Sequence, residues 1–155
     1  MWQRIQTVFL ALNVVSMVAG LFFPIWAGQE NGIGFRLDPL HYTEFREDGQ
    51  EINTYLPFSL TALLMAAAAT ISVMEIRKYD DRHTQIKMGT LNSLILMGAM
   101  ISAVLFANQL TNDHPEQWTY GPALYILFAG VTFNWLAVRF IRRDEKIVRD
   151  SDKLR

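Results

Sequence analysis

The sequence predicts an all-α membrane protein: four transmembrane helices, both termini cytoplasmic, a helical C-terminal tail and a small β-hairpin in the first outer loop. Three observations predict it. First, the 14 basic and 15 acidic residues all lie outside four charge-free runs, Ile5–Gln29, Ile52–Met74, Met88–Asn112 and Gln117–Val138. Each run has at least the 20 or so residues that a helix needs to cross a hydrocarbon core of about 30 Å. Second, the basic residues alternate between sides, 12 of the 14 falling in the N-terminal segment, the second loop and the tail. Third, no ionisable residue interrupts any run. A water-soluble catalytic domain is excluded, and once four spans are counted no stretch is left for a second core. The chain reads as one unit, residues 1–155, with spans near 5–27, 55–76, 88–110 and 118–138 and a tail at 139–155.

Span one runs from Ile5 to about Trp26, with Trp2 and the Phe22-Phe23-Pro24-Ile25-Trp26 cluster as interfacial anchors. Its apolar stretch is longer than a signal-peptide core, and Ile25 is bulky where a cleavage site needs a small residue, so a retained span is expected. Pro24 ends or kinks the helix. The first loop has turn signals at Asn31-Gly32 and Asp48-Gly49. Alternation in His41–Phe45 and Gln50–Tyr55 points to a hairpin around the second. If the hairpin forms, span two starts nearer Pro57.

Span two carries Ala66–Ala69 and span three carries Gly98/Ser102 and the stripe Ala99, Ala103, Ala107. Small residues let helices approach closely, so these two spans are expected to be neighbours. Span four opens with Trp118 and Tyr120 and runs into a tail that has no Gly or Pro between Arg139 and Arg155. Spacings such as Glu145–Arg149 support a continuing helix. Phe140/Ile141, Ile147/Val148 and Leu154 recur every seven residues as a narrow apolar stripe.

Orientation follows from charge. The second loop and the tail hold most of the Lys and Arg, which places them in the cytoplasm. The acidic first loop, with Glu30, Asp38, Glu44, Glu47, Asp48 and Glu51, and the short loop with Asp113 and Glu116 fall outside. The formal net charge of −1 therefore cancels two opposed surfaces, and no nucleic-acid partner is expected.

Candidate chemistry is sparse. The chain has no cysteine, which removes disulfides, thiolate metal sites and cysteine nucleophiles. His41, His83 and His114 all sit in loops, so no pair is placed to ligate a haem inside the bundle. No catalytic, cofactor-binding or metal residues are assigned, and no cofactor is expected. Within the spans Asn13, Asn92 and Asn134 fall in the cytoplasmic half, with Ser16, Ser93 and Thr132 nearby, and are expected to form interhelical hydrogen bonds of around 0.6–2 kcal/mol each. A polar pocket or small-solute path is the sharper reading of the same residues. His41, Glu44, Glu47, Asp48, His114 and Glu116 could meet at a cation, though without recognisable ligand spacing. In the tail Arg142, Arg143, Asp144, Glu145, Ile147, Val148, Arg149 and Leu154 are candidates for docking a cytoplasmic partner, beyond anchoring to anionic lipid.

The start Met1-x-Gln3-Arg4-Ile5-Gln6, the four spans and the tail Ile141-Arg142-Arg143-Asp144-Glu145-Lys146-Ile147-Val148-Arg149 through Leu154-Arg155 resemble a bacterial four-helix inner-membrane family catalogued only as a domain of unknown function. The resemblance covers essentially the whole chain, with Trp2 replacing an aliphatic residue. It implies a fold and a location in the bacterial inner membrane but supplies no activity or site residues. Together these readings point to an accessory or structural subunit of a larger membrane assembly, with the lipid bilayer and other membrane subunits as partners. The alternatives are an oligomeric small-solute transporter or channel, and a membrane enzyme using outer-loop histidines and carboxylates.

Overall fold

The computed structural model describes residues 5–46, 49–78, 81–114 and 117–152. Met1, Trp2, Gln3, Arg4, Glu47, Asp48, Glu116, Leu154 and Arg155, named above, lie outside the described residues. In chain order the elements are α1 (Ile5–Gly20), β1 (Trp26–Glu30), β2 (Ile33–Leu37), β3 (Tyr42–Phe45), β4 (Glu51–Thr54), α2 (Leu60–Arg77), α3 (Arg82–Asp113), β5 (Gln117–Tyr120) and α4 (Pro122–Asp152).

The all-α expectation is overturned by a five-stranded antiparallel sheet, in the order β4-β3-β2-β1-β5. β3 and β4 pair around the turn containing Gly49, with Tyr42 opposite Thr54. They form one corner of a larger sheet. β1 and β2 turn at Asn31-Gly32, where φ is +51° and +82°. Two successive positive φ values favour Asn-Gly, because that turn twists with its flanking strands. β5 pairs with β1, Trp26 opposite Tyr120.

Two expected spans lose residues to this sheet. α1 ends at Gly20 and the chain turns through Leu21–Phe23 before β1. Trp26, expected at the end of span one, lies in a strand, and Gln117–Tyr120, expected in span four, forms β5. Freedom from charge is not specific to a membrane helix: Trp26 lies on a buried sheet face, and β5 is an uncharged strand that is largely exposed. Among the described residues α2, α3 and α4 are long and apolar enough to cross a membrane, while α1 is apolar but has 16 residues. Four full spans are therefore not what the chain forms, although three such helices mark it as a membrane protein.

α1 packs against α2 and α4, and α3 against α2 and α4, closing a ring. Neighbours run antiparallel: Asn13 bonds Ser72 while Gly20 meets Met65, and Asn92 bonds Asn134 while Thr90 meets Arg142. The alanine stripe of α3, Ala99, Ala103 and Ala107, is fully buried. Its neighbour Ser102 shares a hydrogen bond of 2.9 Å with Thr61 of α2. Asp81 caps α3, its carboxylate accepting from the Thr84 N–H at 3.0 Å and from the Thr84 hydroxyl at 2.6 Å. Those two bonds favour the ionised form and hold the Asp81 pKa below its usual value.

The sheet and the loops that carry it stand at one end of the ring. The α2–α3 loop and the C-terminal part of α4 meet at the other, where Arg82 donates to the Asp144 carbonyl at 3.1 Å.

Candidate functional site

Strand periodicity puts Trp26, Phe35, Leu37 and Tyr42 on the sheet face that meets the helices. Trp26 is fully buried, and its indole N–H donates to Thr111 Oγ1 of α3 at 2.9 Å. The end of α3 enters the same face. His114 stacks on Phe35 with ring centroids 3.9 Å apart. Its Nδ1 lies 2.7 Å from Glu30 Oε2 and its Nε2 lies 3.4 Å from the Tyr42 hydroxyl. Burial pushes the Tyr42 phenol up to about 12, with Glu44 and Asp113 adding to the effect. A nucleophilic or general-base tyrosine needs the opposite shift, and the contacts Glu30–His114–Tyr42 join sheet to helix. His41 lies apart, 3.9 Å from Asp38, with its ring tilted 40° to that of Tyr55. Among the described residues no three His, Cys, Asp or Glu side chains gather to hold a metal.

The second polar centre lies inside the helical ring. Asn13, Asn92 and Asn134 are brought together there, buried to 0–1% exposure. Asn13 and Asn92 both donate to the Ser72 hydroxyl, at 2.7 and 2.8 Å. Asn92 also donates to Asn134 Oδ1 at 3.0 Å. Asn134 donates to Ser93 Oγ at 2.8 Å and to the Gly89 carbonyl at 3.2 Å. Every helix contributes one member or more, so this layer bonds all four together. Of the neighbours named from sequence, Ser93 joins it. Thr132 instead bonds the Phe128 carbonyl of its own helix.

One turn along α2 from Ser72 stands Glu75, fully buried. Its carboxylate rests over Gly89 of α3: a Cβ on that glycine would lie 2.8 Å from Glu75 Oε1. Gln85, also buried, donates from Nε2 to the Glu75 carbonyl at 3.0 Å. Neither Glu75 carboxylate oxygen has a hydrogen-bond partner among the described residues, and the same holds for Gln6 Oε1, Asn13 Oδ1, Gln85 Oε1 and Asn92 Oδ1. The expectation of spans free of ionisable residues therefore fails at Glu75.

The tail is one helix with α4, but its candidates scatter. Arg142 donates to Thr90 Oγ1 at 3.3 Å, and Glu145 lies 3.4 Å from His83 Nδ1. Arg143, Ile147 and Val148 are exposed, and Asp144 is half-buried. The side chain of Arg149 and all of Leu154 lie outside the described residues. Arg139 stacks over Trp135 at 5.3 Å, and these two with Arg142, Thr90 and Ser93 line a groove of about 370 Å³.

Gln6, Glu30, Tyr42, Glu75 and Gln85 were not among the sequence candidates for these centres. For Glu75 a signal exists: it directly follows a charge-free run and sits three residues after Ser72, on the same helix face. Glu30 and His114 are 84 residues apart, and the fold of β1 against β5 and the end of α3 brings their segments together.

No curated protein matches the chain. A family model described as a domain of unknown function, DUF4293, matches residues 2–154. Covering nearly the whole sequence, that match makes the chain a member of this family.

Proposed function

We propose that the chain is an accessory or structural subunit of a larger assembly in the bacterial inner membrane, without catalysis of its own and with both termini cytoplasmic. The supporting observation is the sheet edge. β4 is an end strand, exposed at all four residues. Arg46 donates to the Gln50 carbonyl at 3.0 Å. Antiparallel alternation from that bond turns the backbone N–H groups of Glu51 and Asn53 away from β3. Such an edge accepts a strand from a partner. The bond of Trp26 to Thr111 and the contacts of His114, at the end of α3, with Glu30 and Phe35 join the sheet to the helices. Other membrane subunits and the bilayer are the expected partners, with the basic end of α4 beside anionic lipid.

The asparagine layer favours this reading over a solute path, since its members spend their donors on one another, on Ser72 and Ser93 and on the Gly89 carbonyl. The raised pKa of Tyr42 counts against a membrane enzyme built on His114. The test is purification from gently solubilised membranes, beside a Glu51→Pro variant that removes one outward N–H. A partner that co-purifies at constant ratio with the parent chain and is lost from the variant, at unchanged thermal midpoint, supports the proposal. Recovery of the chain alone overturns it.

A further inference from the structure

We infer that Glu75, with the amide oxygens of Gln85 and Asn92 that flank it along α3, forms a binding site for one hard monovalent cation, with sodium as the representative. The argument starts from the imbalance of hydrogen-bonding groups. Among the described residues of the helical ring every buried side-chain atom without a partner is an oxygen: Gln6 Oε1, Asn13 Oδ1, both carboxylate oxygens of Glu75, Gln85 Oε1 and Asn92 Oδ1. Buried acceptors without donors carry a desolvation penalty, and an acceptor-only set is matched by something that brings positive charge. Oxygen donors select hard cations over thiolate- or imidazole-seeking metals.

Position supports the assignment. Gln85, Gly89 and Asn92 lie along one stripe of α3, at helical spacings of four and three. Glu75 rests over Gly89, in the middle of that stripe, where the missing Cβ leaves room for its carboxylate. The two amides therefore flank it along the helix. Charge then fixes the valence. No ion pair among the described residues involves Glu75. One carboxylate among neutral amides is neutralised by a single positive charge, and a divalent ion would leave an excess charge in a low-dielectric interior.

The experiment uses the full chain in detergent at pH 8, with thermal midpoints measured in sodium, potassium, calcium and choline chlorides at constant ionic strength. A midpoint that rises and saturates with sodium or potassium is expected, because a ligand that binds only the folded state stabilises it by mass action. Glu75→Gln keeps the side-chain volume and should raise the half-saturating concentration at least about tenfold. Equilibrium dialysis of the parent chain against radioactive sodium should show one ion per chain, a readout that needs no variant to fold. Equal midpoints in all four salts overturn the site and leave a proton or water as the partner of Glu75. Saturation by calcium alone, or a sodium response unchanged in Glu75→Gln, overturns it as well.

Discussion

Asn13 of α1 and Asn92 of α3 donate to one acceptor, the hydroxyl of Ser72 on α2, at 2.7 and 2.8 Å. The Ser72 oxygen is fully buried with them, so no water competes for either donor. Asn92 extends the connection to Asn134 on α4. A single hydroxyl thus sets the spacing of the helices around it.

Replacing Ser72 by alanine should therefore cost more than one ordinary membrane hydrogen bond. A lone interhelical bond averages about 0.6 kcal/mol, but here two amide donors lose their acceptor together. Each buried group left unsatisfied costs about 1–3 kcal/mol. Ser72→Ala should lower stability by about 2 kcal/mol in a denaturant titration of detergent-solubilised chain. Adding Asn13→Leu to Ser72→Ala should cost less than Asn13→Leu does alone, because the shared bond is already gone. Strict additivity would show that the layer does not act as one unit.

The helical part of this molecule was legible in the sequence because apolar length and small-residue spacing report directly on a helix and its neighbours. Asn13, Asn92 and Asn134 could be singled out as polar residues in apolar runs, although their common partner Ser72 could not. The sheet was hidden for a definite reason. Gln117–Tyr120 and Trp26 carry no charge, and absence of charge cannot separate a strand from the end of a span. Asn31-Gly32 signalled a turn, but β1 contains Gly28 and Gln29 and lacks clean alternation. Glu75 was misplaced because an acidic residue next to a charge-free run reads as its boundary. In the fold its side chain is fully buried, two residues before α2 ends.

Glu30 and His114 should prove to be what fastens the sheet to α3. Their bond of 2.7 Å is partly buried, and His114 also stacks on Phe35. Glu30→Gln keeps the shape and weakens the charge-assisted bond, so about 1–2 kcal/mol of local stability is lost. Hydrogen exchange should quicken in β1 and β2 by roughly tenfold, with α2 and the middle of α3 unchanged. Uniform acceleration throughout the chain would contradict a local fastening.

Tyr42 sets an alkaline limit. Its phenol is held up at about 12 against an ordinary 10.0, chiefly by burial. Below pH 10 the phenol is neutral in both folded and unfolded chains and has no effect on stability. Between pH 10 and 12 unfolding releases its proton, so stability falls as pH rises through that window. Tyr42→Phe should flatten the fall, measured as the thermal midpoint against pH. An unchanged slope would place the alkaline sensitivity elsewhere.

Gly121 should tolerate alanine far less than Gly20 does. A Cβ on Gly121 would press into the Pro24 carbonyl, which is backbone and already accepts from the Ala123 N–H at 3.0 Å. Gly121 itself donates to the Ile25 carbonyl at 2.8 Å, so it closes the corner between β1 and α4. A Cβ on Gly20 meets the Met65 terminal methyl at 2.7 Å, and that flexible side chain can turn away. Gly121→Ala should lose about 1–3 kcal/mol through overpacking, and Gly20→Ala well under 1 kcal/mol on the same principle. Equal losses in denaturant titrations would refute the contrast.

The sidedness inferred from charge has a direct test, because the chain contains no native cysteine. Thr54, exposed at the end of β4, belongs to the sheet end of the helical ring, and Lys146 lies exposed on the tail side. α2 alone, at 18 residues, spans about 27 Å at the helical rise of 1.5 Å per residue. The two ends can therefore lie on opposite sides of one bilayer. The basic bias of the tail end puts it inside. A membrane-impermeant maleimide should label Thr54→Cys on intact spheroplasts and Lys146→Cys only after permeabilisation. Labelling of both from outside would overturn a transmembrane arrangement, and the reverse pattern would invert it. The expected pattern would place the β4 edge where only an external or membrane-anchored partner could reach it, and would leave the basic end of α4 to the cytoplasm.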